Sequence, residues 1–148
     1  MPAKMLFLFF LVISLGCGDS GGGGGGQNSN IPGLFCNGQN IQINDLECNS
    51  NSITVSGMEP ISSFTIEVNG SHTWVEDLEI YLMNNLGEEE IVFDGAFEPG
   101  IDFNGFIATF TLVQPIDPNG TWTLDVCDIF LEDEGFVDDW CLFFDLAP

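Results

Sequence analysis

The sequence contains one histidine, which limits the chemistry that its side chains could perform. A Ser-His-Asp mechanism needs a histidine as general base, and His72 is the only candidate. His72 stands beside Thr73 and Trp74 at the start of a predicted strand, and the chain has no Gly-x-Ser-x-Gly motif. We therefore expect His72 to have a structural or turn role, and we expect the chain itself not to be an enzyme.

Carboxylates dominate the remaining polar chemistry, with 23 Asp and Glu against a single Lys or Arg, Lys4. Acid pairs suited to a glycosidase arise by chance in such a chain, so they identify no active site. One histidine and paired cysteines do not supply a zinc ligand set. Calcium takes carboxylate and carbonyl oxygens from loops, so it is the expected metal. Its candidate ligands are Asp77, Asp128 and Asp133, with Glu132, Glu134, Asp138 and Asp139 as further candidates. The alternative is an acidic loop that only contacts solvent.

The charge balance also restricts the possible partners. A surface without Lys or Arg cannot neutralise phosphates, so we exclude nucleic acid and anionic membrane faces as partners. A buried carboxylate in this chain must be protonated, hydrogen-bonded or bound to a metal ion. Hydrophobic residues nevertheless make up 45% of the sequence, which predicts a folded acidic domain and not a disordered one.

The N-terminus is typical of an export signal. A short positive segment, residues 1–4, precedes an apolar run over residues 5–15 that is too short to span a bilayer. The following Ser14-Leu15-Gly16-Cys17 resembles the lipobox of bacterial lipoproteins, which implies lipidation of Cys17; an ordinary secretory signal is the alternative. We therefore predict a lipoprotein signal over residues 1–16 and a lipidated cysteine with a glycine-rich tether over residues 17–30. The protein would be exported and anchored by lipid to the bacterial cell envelope or surface.

Residues 31–148 are predicted to form one β-sandwich. Apolar and polar residues alternate with a period of two in short segments separated by turn residues, and no long segment has the helical period. The predicted strands cover residues 41–43, 52–57, 64–68, 78–82, 91–93, 106–112, 122–126 and 140–146. About eight short strands without helices predict an all-β, antiparallel, jelly-roll-like sandwich. Alternation also places Trp122 and Trp140 in its core.

The four cysteines beyond Cys17 are expected to form disulfides, because an exported chain meets an oxidising environment. Alternation points Cys127 and Cys141 to the non-core face of the last two strands. If those strands pair, a Cys127–Cys141 bond is sterically reasonable, and Cys36–Cys48 would then close the entry segment. Bonds from Cys36 to Cys127 or to Cys141 remain open alternatives.

Several of the predicted strands carry motifs that resemble a known family. The segments are residues 52–57 (SITVSG), 64–68 (FTIEV), 72–82 (HTWVEDLEIYL) and 119–126 (NGTWTLDV), followed by Asp128, residues 132–135 (EDEG) and Trp140. In this order and spacing they are similar to the P domain, or P/Homo B domain, of subtilisin-like proprotein convertases. The resemblance covers about residues 39–146.

The resemblance implies a jelly-roll sandwich that carries no catalytic residue and often binds calcium. It also implies that Asp77 lies near the loop of Asp128 and Asp133. In that family the domain follows a subtilisin-like catalytic domain and stabilises it. We therefore expect a non-catalytic surface module that docks to or stabilises an exported protein, such as a subtilisin-like serine protease. A glycan-binding or adhesive sandwich is the alternative.

Overall fold

The computed structural model describes residues 27–28, 31–98 and 102–146 of the 148-residue chain. The predicted signal, Cys17 and most of the predicted tether lie outside these residues. The strands are β1 (Gln27–Asn28), β2 (Leu34–Asn37), β3 (Ile41–Ile43), β4 (Cys48–Val55), β5 (Ile61–His72), β6 (Leu78–Met83), β7 (Glu89–Asp94), β8 (Phe106–Ile116), β9 (Gly120–Asp128) and β10 (Gly135–Leu146). Single 3-10 turns occur at Val75–Asp77 and Gly95–Phe97. All eight predicted strands are present, and β1 and β2 are additional.

The strands form two antiparallel sheets. Sheet A has six strands in the order β1-β2-β10-β5-β8, with β3 also paired to β10, and sheet B has four in the order β4-β9-β6-β7. One edge of β10 pairs with β5 along its length, while the other pairs with β3 and then with β2. The predicted all-β antiparallel sandwich is confirmed.

Alternation along the strands places apolar side chains between the sheets. The core positions of the four central strands are Phe64, Ile66 and Val68 of β5, Trp140, Leu142 and Phe144 of β10, Trp122, Leu124 and Val126 of β9, and Leu78, Ile80 and Leu82 of β6. The ring of Trp122 lies 5.3 Å from that of Phe64 and 5.4 Å from that of Phe144, so aromatic contacts join sheet B to sheet A. The predicted core positions of Trp122 and Trp140 are confirmed.

The two core indoles also satisfy their polar atoms. Trp122 Nε1 donates a hydrogen bond to the Pro118 carbonyl at 2.8 Å. Trp140 Nε1 donates to Asn51 Oδ1 at 2.6 Å. Because Trp140 belongs to sheet A and Asn51 to sheet B, this second bond links the sheets directly. Both tryptophans can therefore be buried without leaving an unpaired donor in the core.

The four cysteines in the described part of the chain form two disulfides, as predicted, but the favoured pairing is wrong. The bonds join Cys36 to Cys141 and Cys48 to Cys127. The favoured Cys127–Cys141 bond assumed that β9 and β10 pair, whereas they lie in different sheets. Each cysteine instead bonds to its direct register partner on a neighbouring strand, so each disulfide lies within one sheet. The Cys36–Cys141 bond is one of the alternatives that the sequence left open.

The disulfides bear on the compartment in which the protein is found. Two disulfides are typical of a protein in an oxidising compartment. Within the described ranges, no helix has the length and apolar character needed to cross a membrane. Gln27 and Asn28, which belong to the predicted tether, form β1 and pair with Cys36 and Phe35 of β2.

Candidate functional site

Three loops meet at one end of the sandwich, and they carry most of the predicted site residues. These loops, residues 44–47, 73–77 and 129–134, are named here the loop cluster. Four hydrogen bonds link these loops to one another or to the end of β9 beside them: Asp128 N to Glu47 O at 3.1 Å, Ile129 N to Asp77 O at 2.9 Å, Thr73 Oγ1 to Asp133 Oδ1 at 2.6 Å and Glu132 N to Asp45 Oδ2 at 3.2 Å. The Cys48–Cys127 disulfide joins the strands at the base of two of these loops. The loop cluster is therefore a braced part of the surface.

His72, the last residue of β5, lies beneath the loop cluster and is only 2% exposed. Its Nε2 lies 3.1 Å from Asp128 Oδ2, and its Nδ1 lies 2.8 Å from the Trp74 carbonyl oxygen. The Trp74 N–H also donates to His72 Nδ1 at 3.2 Å, so both ring nitrogens have partners within the protein. Since Lys4 is the only Lys or Arg, His72 is the one other side chain of this sequence that can carry a positive charge. It is placed to pair with Asp128 and not to act on a substrate at the surface.

Asp128 is 2% exposed and uses both of its carboxylate oxygens. Oδ2 contacts His72, and Oδ1 accepts a hydrogen bond from Phe130 N at 2.9 Å. Asp128 is therefore held by hydrogen bonds, which is one of the three outcomes expected for a buried carboxylate in this chain. Its histidine partner was not predicted, although alternation along β5 contains the signal, because His72 continues the core-facing series of Phe64, Ile66 and Val68.

Asp77 is the second largely buried carboxylate at the loop cluster. It ends a 3-10 turn and is 7% exposed, and within the described ranges no hydrogen-bond donor reaches its side chain. Burial raises the pKa of its carboxyl above the ordinary value. The carboxylates of Asp128 and Asp133 raise this pKa further, while His72 acts in the opposite direction. The Asp77 oxygens are not among the fully enclosed polar atoms that lack a partner, so the carboxylate still reaches solvent. A largely buried carboxylate that is repelled by other acids fits a calcium ion, which would neutralise it.

Asp133 is half-buried and is held by the Thr73 hydroxyl. The structure thus places Asp77, Asp128 and Asp133 in one region, but it does not gather their oxygens as tightly as a complete ligand set. Among the described residues, only Cys48, Asp125 and Cys127 form a group of three ligand atoms within 4.8 Å of one another. That group does not fit a metal, because its two sulfurs are bonded to each other. Of the three candidates, Asp77 has the free carboxylate.

The tryptophans do not form a joint platform for stacking on a sugar. Trp122 and Trp140 are in the core, whereas Trp74 is 46% exposed on the loop cluster. Trp74 Nε1 donates to Glu76 Oε2 at 3.4 Å, which holds the indole beside a carboxylate. Trp74 is therefore the tryptophan that a ligand or partner could reach.

Comparison with known proteins finds a matching family model and solved structures with a similar fold. The family model described as the proprotein convertase P-domain matches residues 61–144, more than half of the chain. Two solved structures have similar folds: the serine protease of Aeromonas sobria, with a TM-score of 0.55, and the complex of Aeromonas sobria serine protease with the chaperone ORF2, with a TM-score of 0.57. In both comparisons the identity is 15%, and the match covers 79% of this chain but 28% of the other. Among the curated proteins, none matches this chain.

The chain therefore spans less than a third of the length of these solved proteins, and at this identity the likeness concerns the fold alone. The sequence match covers β5 to β10 almost completely, including His72, Asp77, Asp128 and Asp133. The match over this segment, together with the two-sheet antiparallel sandwich, shows that the chain belongs to the proprotein convertase P-domain family.

Proposed function

We propose that this protein is a non-catalytic exported module that docks to and stabilises an exported protein, a subtilisin-like serine protease being the expected partner. Membership of the P-domain family carries the proposal. The burial of His72 and its contacts with Asp128 and Trp74 support a non-catalytic role, because a general base must reach its substrate.

The proposed partner can be tested by crosslinking on intact cells that export the full chain. We expect a subtilisin-like protease among the crosslinked proteins, and we expect it to lose activity more slowly on heating when the chain is present. The control is the same crosslinking and purification carried out on cells that lack the chain. A protease whose heat inactivation is unchanged by the chain would argue against the proposal.

Lipid anchoring through Cys17 is part of the same proposal. One support is the apolar run followed by Gly16-Cys17. The other is that the chain beyond Cys17 has no Lys or Arg, so it cannot bind an anionic membrane through charge and would need a lipid to stay attached. Labelled fatty acid should enter the wild-type chain and not the Cys17→Ser variant, and the variant should leave the membrane fraction. Equal labelling of both chains would remove the anchor from the proposal.

Calcium is the proposed ion, held by Asp77 with oxygens of its neighbours in the loop cluster. Support comes from Asp77, which is largely buried, has no side-chain hydrogen-bond donor among the described residues, and has its pKa raised by burial and by the charges of Asp128 and Asp133. The ion would supply the positive charge that this sequence lacks. It would also brace residues 73–77 against residues 129–134.

A further inference from the structure

Resting on the proposed docking role, we propose that the loop cluster is the docking surface and that it recognises an apolar side chain flanked by Lys or Arg on a partner protein. The loop cluster presents exposed apolar groups, an acidic rim and a braced, strained backbone. The apolar groups and the strained backbone do not depend on the calcium proposal, whereas Asp133, Glu132 and Glu134 of the rim are also its candidate ligands.

The loop cluster exposes an unusual share of large apolar side chains. Thirteen such side chains are exposed in the described part of the chain, and five of them lie on these three short loops: Leu46, Trp74, Ile129, Phe130 and Leu131. Four hydrogen bonds tie the loops together, so the five residues belong to one region. Single exposed apolar residues are ordinary, but a group of this kind rimmed by polar residues marks an interaction surface.

The charged side chains of this region are all acidic. Partly or fully exposed carboxylates lie on all three loops together with the apolar residues: Asp45, Glu47, Glu76, Glu132, Asp133 and Glu134. No Lys or Arg follows Lys4 in the sequence, and His72 is buried. A second copy of this chain or an acidic partner would be repelled, whereas a basic rim on the partner would be attracted. Charge complementarity therefore selects a basic protein surface with an apolar centre.

Backbone strain is concentrated at the same place. Among the described non-glycine residues, only Leu46 and Glu132 have positive φ angles, of 56° and 86°. Glycine or asparagine would adopt this conformation more easily than leucine. Leu46 nevertheless occupies its position with an apolar side chain that is 60% exposed. Its side chain has little contact with the core, which points to a role in contacting a partner.

The bracing of the loop cluster favours binding. The Cys48–Cys127 disulfide and the bonds of Asp128 and Ile129 hold the loops before a partner arrives. Because less of the backbone must be ordered on association, more of the contact energy remains as affinity.

Three synthetic peptides of equal length test the proposal against the exported full chain. The first has a Leu-Phe-Leu centre between lysines, the second replaces the lysines with glutamates, and the third replaces the centre with serines. We expect the first peptide to bind at least about tenfold more tightly than either of the others, and its affinity to fall as salt is raised. Equal affinities for the three peptides, or no binding of the first, would overturn the proposal.

Substitutions locate the binding region. Phe130→Ser and Leu131→Ser should each weaken binding of the first peptide by about tenfold. Leu86→Ser is the matched control, because Leu86 is 63% exposed and Leu131 is 62% exposed, and Leu86 lies on the turn between β6 and β7. Leu46→Gly should relieve strain and preserve the thermal midpoint, yet weaken binding. Unchanged affinity in all three loop-cluster variants would show that the peptide binds elsewhere.

The same variants separate this inference from the proposed function. If the wild-type chain and the Phe130→Ser variant capture the protease equally well, the docking role stands and the loop cluster is not its surface. If the first peptide binds as expected but no protease is captured, the surface stands and the proposed partner is wrong.

Discussion

His72 and Asp77 illustrate, at the scale of single residues, two ways in which an acidic chain can hold a polar group inside. His72 is paired on both ring nitrogens, and Asp128 gains a partner from that pairing. Asp77 has no donor within the described ranges and lies near two further carboxylates. The first arrangement is satisfied by the protein itself, whereas the second favours protonation or a cation.

Neutralising Asp77 should stabilise the protein when calcium is absent. The folded state raises the pKa of Asp77 above 3.8, so its contribution to stability is present below pH 3.8 and is lost as pH rises through the raised pKa. Asp77→Asn should therefore raise the thermal midpoint at neutral pH in a chelator, and the gain should vanish in acid. The control is Glu90→Gln, which removes one carboxylate at an exposed position on β7. A lower midpoint for Asp77→Asn at neutral pH would contradict the assignment.

Calcium should act on the wild-type chain and not on the same variant. A saturating ion stabilises the fold by mass action, by about 2.7 kcal/mol at a hundredfold excess over its Kd. We expect the thermal midpoint of the wild type to rise with calcium and that of Asp77→Asn to stay constant. Titration calorimetry checks the same point, and no heat with the wild type would remove calcium from the proposed function.

Tyr81, the single tyrosine, should titrate unusually late. Its hydroxyl donates a hydrogen bond to the Glu79 carboxylate, and this bond, with burial and the nearby charges, raises the pKa of Tyr81 to about 12. Absorbance at the tyrosinate band follows this one group directly. Glu79→Gln should move the midpoint toward the ordinary value of 10.0, whereas a midpoint near 10.0 in the wild type would contradict the contact.

At the scale of secondary-structure elements, Gly95 controls how the two 3-10 turns pack. A Cβ at Gly95 would lie 1.6 Å from the Val75 carbonyl oxygen, so any side chain must push the turn that carries Asp77. Gly95→Ala should lower the free energy of unfolding by about 1–3 kcal/mol through overpacking. It should also weaken the response to calcium.

Gly38→Ala is the control for this substitution, because a Cβ at Gly38 meets nothing within 4 Å. Urea unfolding of both variants measures the difference. Equal free energies of unfolding for Gly38→Ala and Gly95→Ala would show that the two turns are not packed as described.

At the scale of the whole molecule, the disulfides brace each sheet while the aromatic core joins the sheets. The bonds span 105 residues for Cys36–Cys141 and 79 residues for Cys48–Cys127. In the chain-entropy model, a disulfide that closes a loop of this size stabilises the folded protein by about 4–5 kcal/mol, because it lowers the entropy of the unfolded chain. The bonds favoured from the sequence, Cys127–Cys141 and Cys36–Cys48, close much shorter loops and would have stabilised the fold less.

Removing the Cys48–Cys127 bond by the double substitution Cys48→Ala/Cys127→Ala should lower the free energy of unfolding by several kcal/mol, with the upper estimate at about 4–5 kcal/mol. Because Trp122, Phe64 and Phe144 still join the sheets, the variant should remain folded. Urea unfolding measures the loss. Peptide mapping of the unreduced wild type checks the connectivity, and a Cys127–Cys141 peptide would contradict the fold.

The sequence by itself determined eight of the ten strands described, and the buried face of β9 and β10. Its period of two placed Trp122 and Trp140 in the core and could have placed His72 there as well. These are local properties, because side chains alternate along a strand whatever its neighbours are.

Only the tertiary structure decided which strands are neighbours, and with them the disulfides, the His72–Asp128 pair and the loop cluster. Alternation is the same for a strand in sheet A or in sheet B, so it does not reveal that β9 pairs with β4 while β10 pairs with β2. Contacts between residues distant in sequence depend on how the two sheets close over their common core, which is a property of the whole chain.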